Sequence, residues 1–134
     1  MKNPINVLLI LLLSALSLAW IEYQAKPWKV PDKYVNLKNP YVNKTDAKFV
    51  GKTLYKVHCS SCHGKQGLGD GVKAKRLKSA VPNFSLQDFQ KQKDGELYFK
   101  SFIGRDEMPN FEKKIPKEED RWQLVNYMRT LKKE

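Results

Sequence analysis

Apolar residues recur at helical spacing in the middle of the chain. Val50, Leu54 and Val57 stand at positions i, i+4 and i+7, which predicts one helix with Thr45 or Asp46 as its N-cap. The chain has no alternating strand pattern of any length and no internal repeat. The pattern therefore predicts an all-α fold with substantial loops.

Two further stretches show the same periodicity. The apolar spacing within residues 93–104 predicts a short helix that buries Leu97, Phe99 and Phe102 and ends at Gly104. Residues 116–133 predict the strongest helix, because acidic residues stand near its start and lysines near its end, where each complements the helix dipole. Its apolar stripe consists of Leu124, Tyr127, Met128 and Leu131.

The first 21 residues form an apolar segment that carries one lysine near its start. Its length lies at the lower limit for a transmembrane helix and slightly above that of a signal-peptide core. Trp20, Tyr23 and Trp28 favour an uncleaved anchor over a removed signal, because aromatic residues concentrate at membrane interfaces. We expect export to the periplasmic side of the bacterial cytoplasmic membrane, with the protein anchored there, or soluble if the segment is cleaved.

Residues 22–45 separate this segment from the folded part of the chain. They contain three prolines and no glycine, and they lack sustained apolar periodicity, so they predict an extended, rather stiff linker. The alternative is an N-terminal arm that follows the domain surface. The folded domain is predicted to span residues 46–134.

The chain is strongly basic, with 25 Lys and Arg against 14 Asp and Glu and a net charge of +11. Such a charge suits an acidic protein partner or an anionic membrane surface. Nucleic acid is disfavoured, because lysines far outnumber arginines, no nucleic-acid-binding motif occurs and the chain begins with an export segment. A merely solvated lysine-rich surface is the alternative.

Both cysteines and both histidines lie within residues 58–63, where Cys59, Cys62 and His63 form a C-x-x-C-H motif. This pattern is typical of covalent haem attachment, since two thiols on one turn can each add to a vinyl group while the next imidazole reaches the iron. A zinc site would need further ligands, and a dithiol redox pair would need a preceding strand. A plain disulfide would leave His63 unexplained.

A haem also needs a ligand on its second face. Met1 belongs to the export segment and Met128 to the apolar stripe of the last helix, whereas Met108 stands in a predicted loop before a proline. His58 is poorly placed for this role, because its neighbour Cys59 is attached on the other side. The predicted iron ligands are therefore His63 and Met108.

With these residues in place, the chain from 46 to 131 resembles the class I c-type cytochromes. Its VPNF stretch resembles the family loop in which a proline carbonyl, here that of Pro82, orients the proximal histidine. Its MPNF stretch resembles the distal methionine loop. The resemblance also implies that the first and last helices cross at a small residue, where Gly51 and Tyr55 meet Leu124 and Tyr127.

The resemblance implies a small domain of three to five helices around one haem c, bound through Cys59 and Cys62 and ligated by His63 and Met108. Because both axial positions are filled by protein, we expect an electron carrier of a respiratory or periplasmic redox chain and no enzymatic activity. A fixed subunit of a larger oxidoreductase, or a haem enzyme or gas sensor with a labile Met108, are the alternatives. Residues 73–78 with Lys65 form a candidate docking surface for an acidic redox partner, and Arg105 and Trp122 are candidates for contacts with the haem propionates.

Overall fold

The structure, a computed structural model, describes residues 27–42, 44–46 and 49–133. The predicted export segment 1–21 and residues 22–26 of the predicted linker lie outside the described residues. Within the described ranges, no helix is long and apolar enough to cross a membrane.

Helices make up the regular structure of the described chain, as the sequence predicts, and its only β-type pairing is a single bridge between Arg105 and Met108. A π-helical segment, Tyr55–Cys59, joins the helix Val50–Leu54 directly to the helix Ser60–His63, and a 3₁₀ turn, Ala74–Arg76, follows. The α-helices are α1 (Asp32–Val35), α2 (Val50–Leu54), α3 (Ser60–His63), α4 (Gln87–Gln90), α5 (Asp94–Ile103) and α6 (Glu118–Thr130).

The start of α2 depends on Asp46. Its carboxylate accepts hydrogen bonds from the backbone N–H groups of Val50 and Gly51, at 2.8 and 2.7 Å. Phe49, with φ of 53°, immediately precedes the first helical residue. Asp46 therefore satisfies free N–H groups of the first turn, as a capping residue does, although the helix begins four residues later.

Helices α2 and α6 cross in close backbone contact at Gly51. A Cβ atom on Gly51 would overlap the carbonyl oxygen of Gln123 and lie 3.0 Å from Cβ of Tyr127. The rings of Tyr55 and Tyr127 pack beside it, with 5.2 Å between their centroids. The expected crossing of the first and last helices at a small residue is thus confirmed.

Several of the predicted core positions are wrong. Val57 is 66% exposed, because the wider turn of the π-helical segment rotates it off the apolar face of α2. On α5, Tyr98 is buried whereas Phe99 is only half-buried. On α6, Trp122 and Val125 are fully buried while Tyr127 is half-buried, because this helix is covered on more than one side.

Residues 27–42, which we call the arm, pack against the helices. The ring of Tyr34 lies 4.7 Å from that of Phe99 on α5. The amide of Asn39 donates to Asp94 at 2.9 Å and to Asn126 at 2.7 Å. The described part of the predicted linker is therefore a surface arm rather than an extended tether, because it finds both an aromatic and a polar partner on the domain.

Candidate functional site

The cysteines of the C-x-x-C-H motif lie where the π-helical segment passes into α3. Cys59 and Cys62 are free thiols and both are half-buried. Burial, together with the nearby Cys62, raises the pKa of Cys59 to about 12. The structure therefore holds two free thiols with no disulfide between them.

His63, the last residue of α3, is buried beneath the following loop and is only 6% exposed. Burial lowers its pKa to about 4, and the backbone carbonyl of Pro82 partly offsets this effect. Nδ1 of His63 is nevertheless buried without a hydrogen-bond partner among the described residues. Burial thus keeps His63 as a neutral imidazole, the form that binds metals, and the assignment of Pro82 as its partner stays a prediction.

The loop after His63 folds back over the motif through backbone hydrogen bonds. The N–H of Gly69 donates to the carbonyl of His63 at 2.9 Å, and that of Gly71 donates to Cys62 at 3.1 Å. Gly69 has a φ of 78°, and a Cβ atom there would overlap the carbonyl of Val81. Glycine is needed at this position because both its conformation and the close approach of the 81–84 segment exclude a side chain.

Phe84 completes the surroundings of the imidazole. Its N–H donates to the carbonyl of Gly67 at 2.6 Å, and its ring lies 4.5 Å from that of His63. On the far side it stacks on Phe89 at 4.1 Å. These rings shield His63 from water, which explains the direction of its pKa shift.

Met108 lies at the end of a tight turn after α5. Its N–H and carbonyl exchange hydrogen bonds with the carbonyl and N–H of Arg105, at 2.8 and 2.9 Å. Gly104, with φ of 74°, allows the helix end to approach the backbone of Met108 and Pro109. The side chain is half-buried and packs against the hydrophobic core, as does Cys59.

Two further contacts hold the Met108 loop, residues 104–110. The N–H of Phe111 donates to the carbonyl of Phe102 at 2.9 Å and closes the base of the loop. The carboxylate of Glu107 accepts from the N–H groups of Lys78 and Ser79, at 2.8 and 3.0 Å. Sequence reasoning missed Glu107, since no local pattern reveals a contact with backbone 28 residues earlier.

His58, which directly precedes the C-x-x-C-H motif, packs against the core. His58 packs against the ring of Phe111, with 5.6 Å between the centroids. Throughout the part of the chain that the structure describes, no three His, Cys, Asp or Glu side chains form a group that could hold a metal ion by themselves.

The donor set fits a covalently attached haem. Two free thiols and a buried imidazole stand within five residues, and a thioether is carried by a separate loop on the same core. Thiols provide covalent attachment, and imidazole and thioether are the axial donors of low-spin haem iron. The hydroxyl of Ser61 lies 3.9 Å from the sulfur of Cys62, and the carbonyl of Pro82 lies near the imidazole.

Comparison with known proteins agrees with this interpretation. A family model described as cytochrome c matches residues 50–132. The matched region includes the C-x-x-C-H motif, Pro82 and Met108, and it begins after the arm. A search of curated proteins finds no match to the chain.

Proposed function

Because this chain belongs to the cytochrome c family, we propose that it is a monohaem electron carrier whose iron is ligated by His63 and Met108. The family binds covalently attached haem c and transfers electrons, so the haem-based electron transfer itself follows from membership. The observation that supports the ligand assignment is the buried, neutral imidazole of His63 beside two free thiols.

Each residue has a distinct role in this proposal. Bound haem supplies the one-electron Fe(III)/Fe(II) couple. Cys59 and Cys62 hold the group through thioether bonds, and His63 offers Nε2 to the iron while its Nδ1–H is left to the carbonyl of Pro82. Met108 offers a soft sulfur atom, which stabilises the reduced iron and raises the potential.

The anchoring of the Met108 loop favours an electron carrier over a haem enzyme or gas sensor. Arg105, Glu107 and Phe111 fix this loop by backbone or carboxylate hydrogen bonds at three places. A ligand on so constrained a loop leaves no open iron position for a substrate or for gas. Catalysis or sensing would require the loop to open.

The charge distribution favours an acidic redox partner. Lys73, Lys75, Arg76 and Lys78 are all exposed. Glu107 joins the end of this stretch to the Met108 loop. A partner attracted by these charges would therefore dock beside the proposed distal ligand, and we expect the association rate to fall as salt is added.

The cellular setting of the proposal rests on the sequence. Residues 1–21 support export to the periplasmic side of the cytoplasmic membrane and a place in a respiratory or periplasmic chain. A free shuttle and a fixed subunit of an oxidoreductase complex differ in one measurable respect. Affinity purification from solubilised membranes should recover a shuttle alone and a subunit together with its complex.

The test of the function is the mass and the spectrum of the purified protein. We expect one covalent haem per chain, a six-coordinate low-spin spectrum and no CO binding by the ferrous form. The mass also shows whether residues 1–19 remain. The double variant Cys59→Ala/Cys62→Ala should lose the covalent haem, whereas Ser61→Ala should keep it. A high-spin or CO-binding ferrous wild-type protein would contradict the proposal.

A further inference from the structure

The start of the arm contacts the Met108 loop. The guanidinium carbon of Arg105 lies 4.7 Å from the centroid of the Trp28 ring, within the range of a cation–π interaction. Nη1 of the same guanidinium donates to the carbonyl of Pro27 at 3.2 Å. Trp28 is half-buried, although it lies outside the part of the chain that the family model matches.

Arg105 connects this contact to the proposed ligand. The backbone of Arg105 exchanges two hydrogen bonds with that of Met108. The position of Arg105 therefore fixes the position of the Met108 backbone. Nε of Arg105 also pairs with the carboxylate of Asp106 at 3.2 Å, within the same turn. The guanidinium is therefore held between the arm on one side and the turn on the other.

Other contacts of the arm with the domain hold Trp28 in a fixed position. Farther along, the ring of Tyr34 packs on Phe99, and Asn39 donates to Asp94 and Asn126. A Cβ atom on Gly95 would overlap the carbonyl of Tyr34, so the arm and α5 are in direct backbone contact. An arm attached at these points can restrain Arg105, which a freely moving linker could not do.

We propose that Trp28 is a positioning residue for the iron ligand Met108, acting through Arg105 to keep the Met108 loop closed. The inference rests on the proposed function, because it takes Met108 as the ligand. Its consequence is that coordination of the iron depends on the chain segment that leads toward the predicted membrane segment. Detaching Trp28 shifts the loop toward an open form in which Met108 no longer reaches the iron.

Competition by added imidazole tests the proposal in the oxidised holoprotein. Imidazole binds iron only when Met108 leaves it, so its apparent affinity rises with the open fraction of the loop. In Trp28→Ala we expect an increase of about twofold to fivefold, the range that one half-exposed cation–π contact supports. Trp28→Phe keeps an aromatic face for the guanidinium and should restore most of the wild-type value.

The matched control removes a similar contact elsewhere. Nζ of Lys44 lies 4.4 Å from the ring centroid of Tyr41, at the end of the arm near Asn126. Lys44→Met should leave the imidazole affinity unchanged. In a double-mutant cycle, the effects of Trp28→Ala and Arg105→Ala on the imidazole affinity should be strongly non-additive, because each substitution removes the same contact between the two side chains.

The outcomes are distinguishable. The weak charge-transfer band of methionine-ligated ferric haem is recorded first in the wild-type protein. If that band is absent, the ligand assignment fails and this inference fails with it. If it is present but Trp28→Ala binds imidazole as the wild type does, or if Lys44→Met shows the same increase, only the inference is overturned.

Discussion

The phenol of Tyr55 donates a 2.7 Å hydrogen bond to the carbonyl of Gly64, the residue that directly follows His63. Tyr55 is 1% exposed, and burial, with a smaller effect from Cys59, raises its pKa above the usual range. Tyr55 therefore remains a neutral donor throughout the physiological pH range. The bond joins the start of the π-helical segment to the point where the chain leaves the C-x-x-C-H motif.

Removing this hydroxyl should destabilise the holoprotein. Tyr55→Phe takes this donor from the buried carbonyl of Gly64, which keeps only the longer bond from the N–H of Gly67 at 3.3 Å, and we expect a loss of about 1 kcal/mol in the free energy of unfolding. Urea titration followed by far-UV circular dichroism measures it. Tyr127→Phe, whose ring packs 5.2 Å from Tyr55, should change the stability by less than about 0.5 kcal/mol. Equal stability of both variants would contradict the role of the hydrogen bond.

A methyl group at the helix crossing should separate α2 from α6. Gly51→Ala places its Cβ onto the carbonyl of Gln123, and we expect a loss of about 1–3 kcal/mol from overpacking. Thermal unfolding of the holoprotein gives the comparison. Lys52→Ala, at the exposed neighbouring position, should unfold like the wild type. The close crossing is refuted if both variants unfold at the wild-type temperature.

Exchange of the proposed distal ligand should change the redox potential. Met108→His replaces a soft thioether by an imidazole, so the oxidised iron is favoured and the potential falls by on the order of a few tenths of a volt. Spectroelectrochemistry measures the potential, and the charge-transfer band of methionine-ligated iron should vanish. Met128→Leu, a buried core position of similar volume, should keep both the band and the potential. A band that survives in Met108→His would identify a different ligand.

The carboxylate of Glu107 should protect two amides that lie far away in sequence. Glu107→Ala removes the acceptor for the N–H groups of Lys78 and Ser79, and we expect these amides to exchange hydrogen about fivefold faster, since a bond of about 1 kcal/mol is lost. Hydrogen exchange followed by NMR resolves the two sites. Glu107→Gln retains an acceptor oxygen and serves as the control. Unchanged exchange in Glu107→Ala would show that the contact does not form in solution.

The sequence predicts the attachment chemistry because Cys59, Cys62 and His63 lie within five residues of one another, where spacing alone decides which atoms can act together. Met108 could be singled out for a different reason, since the other methionines belong to the export segment and to a helix stripe. The selection of Cys59, Cys62, His63 and Met108 as candidate donors thus depends only on residue type and position in the sequence. The roles of these residues on the iron stay predictions that the experiments above test.

The helix periodicity was less informative about burial. Val50 and Leu54 lie on the buried side as the pattern predicts, but the π-helical segment turns Val57 into solvent. A fixed period cannot anticipate a change in helical pitch. The periodicity did not predict the burial of Tyr98 and Trp122, because their burial depends on packing between α5 and α6. The centroids of the two rings lie 4.3 Å apart.

The sequence by itself determined the helical class of the domain, the C-x-x-C-H motif and the candidate donor residues, since these depend on composition and on neighbours within a few positions. Only the tertiary structure decided that residues 27–42 form an arm on the domain, that Trp28 meets Arg105 and that Glu107 reaches Lys78. The physical reason is that each of these contacts joins residues far apart along the chain. Such contacts form only when the helices have packed, and no local pattern of side chains encodes them.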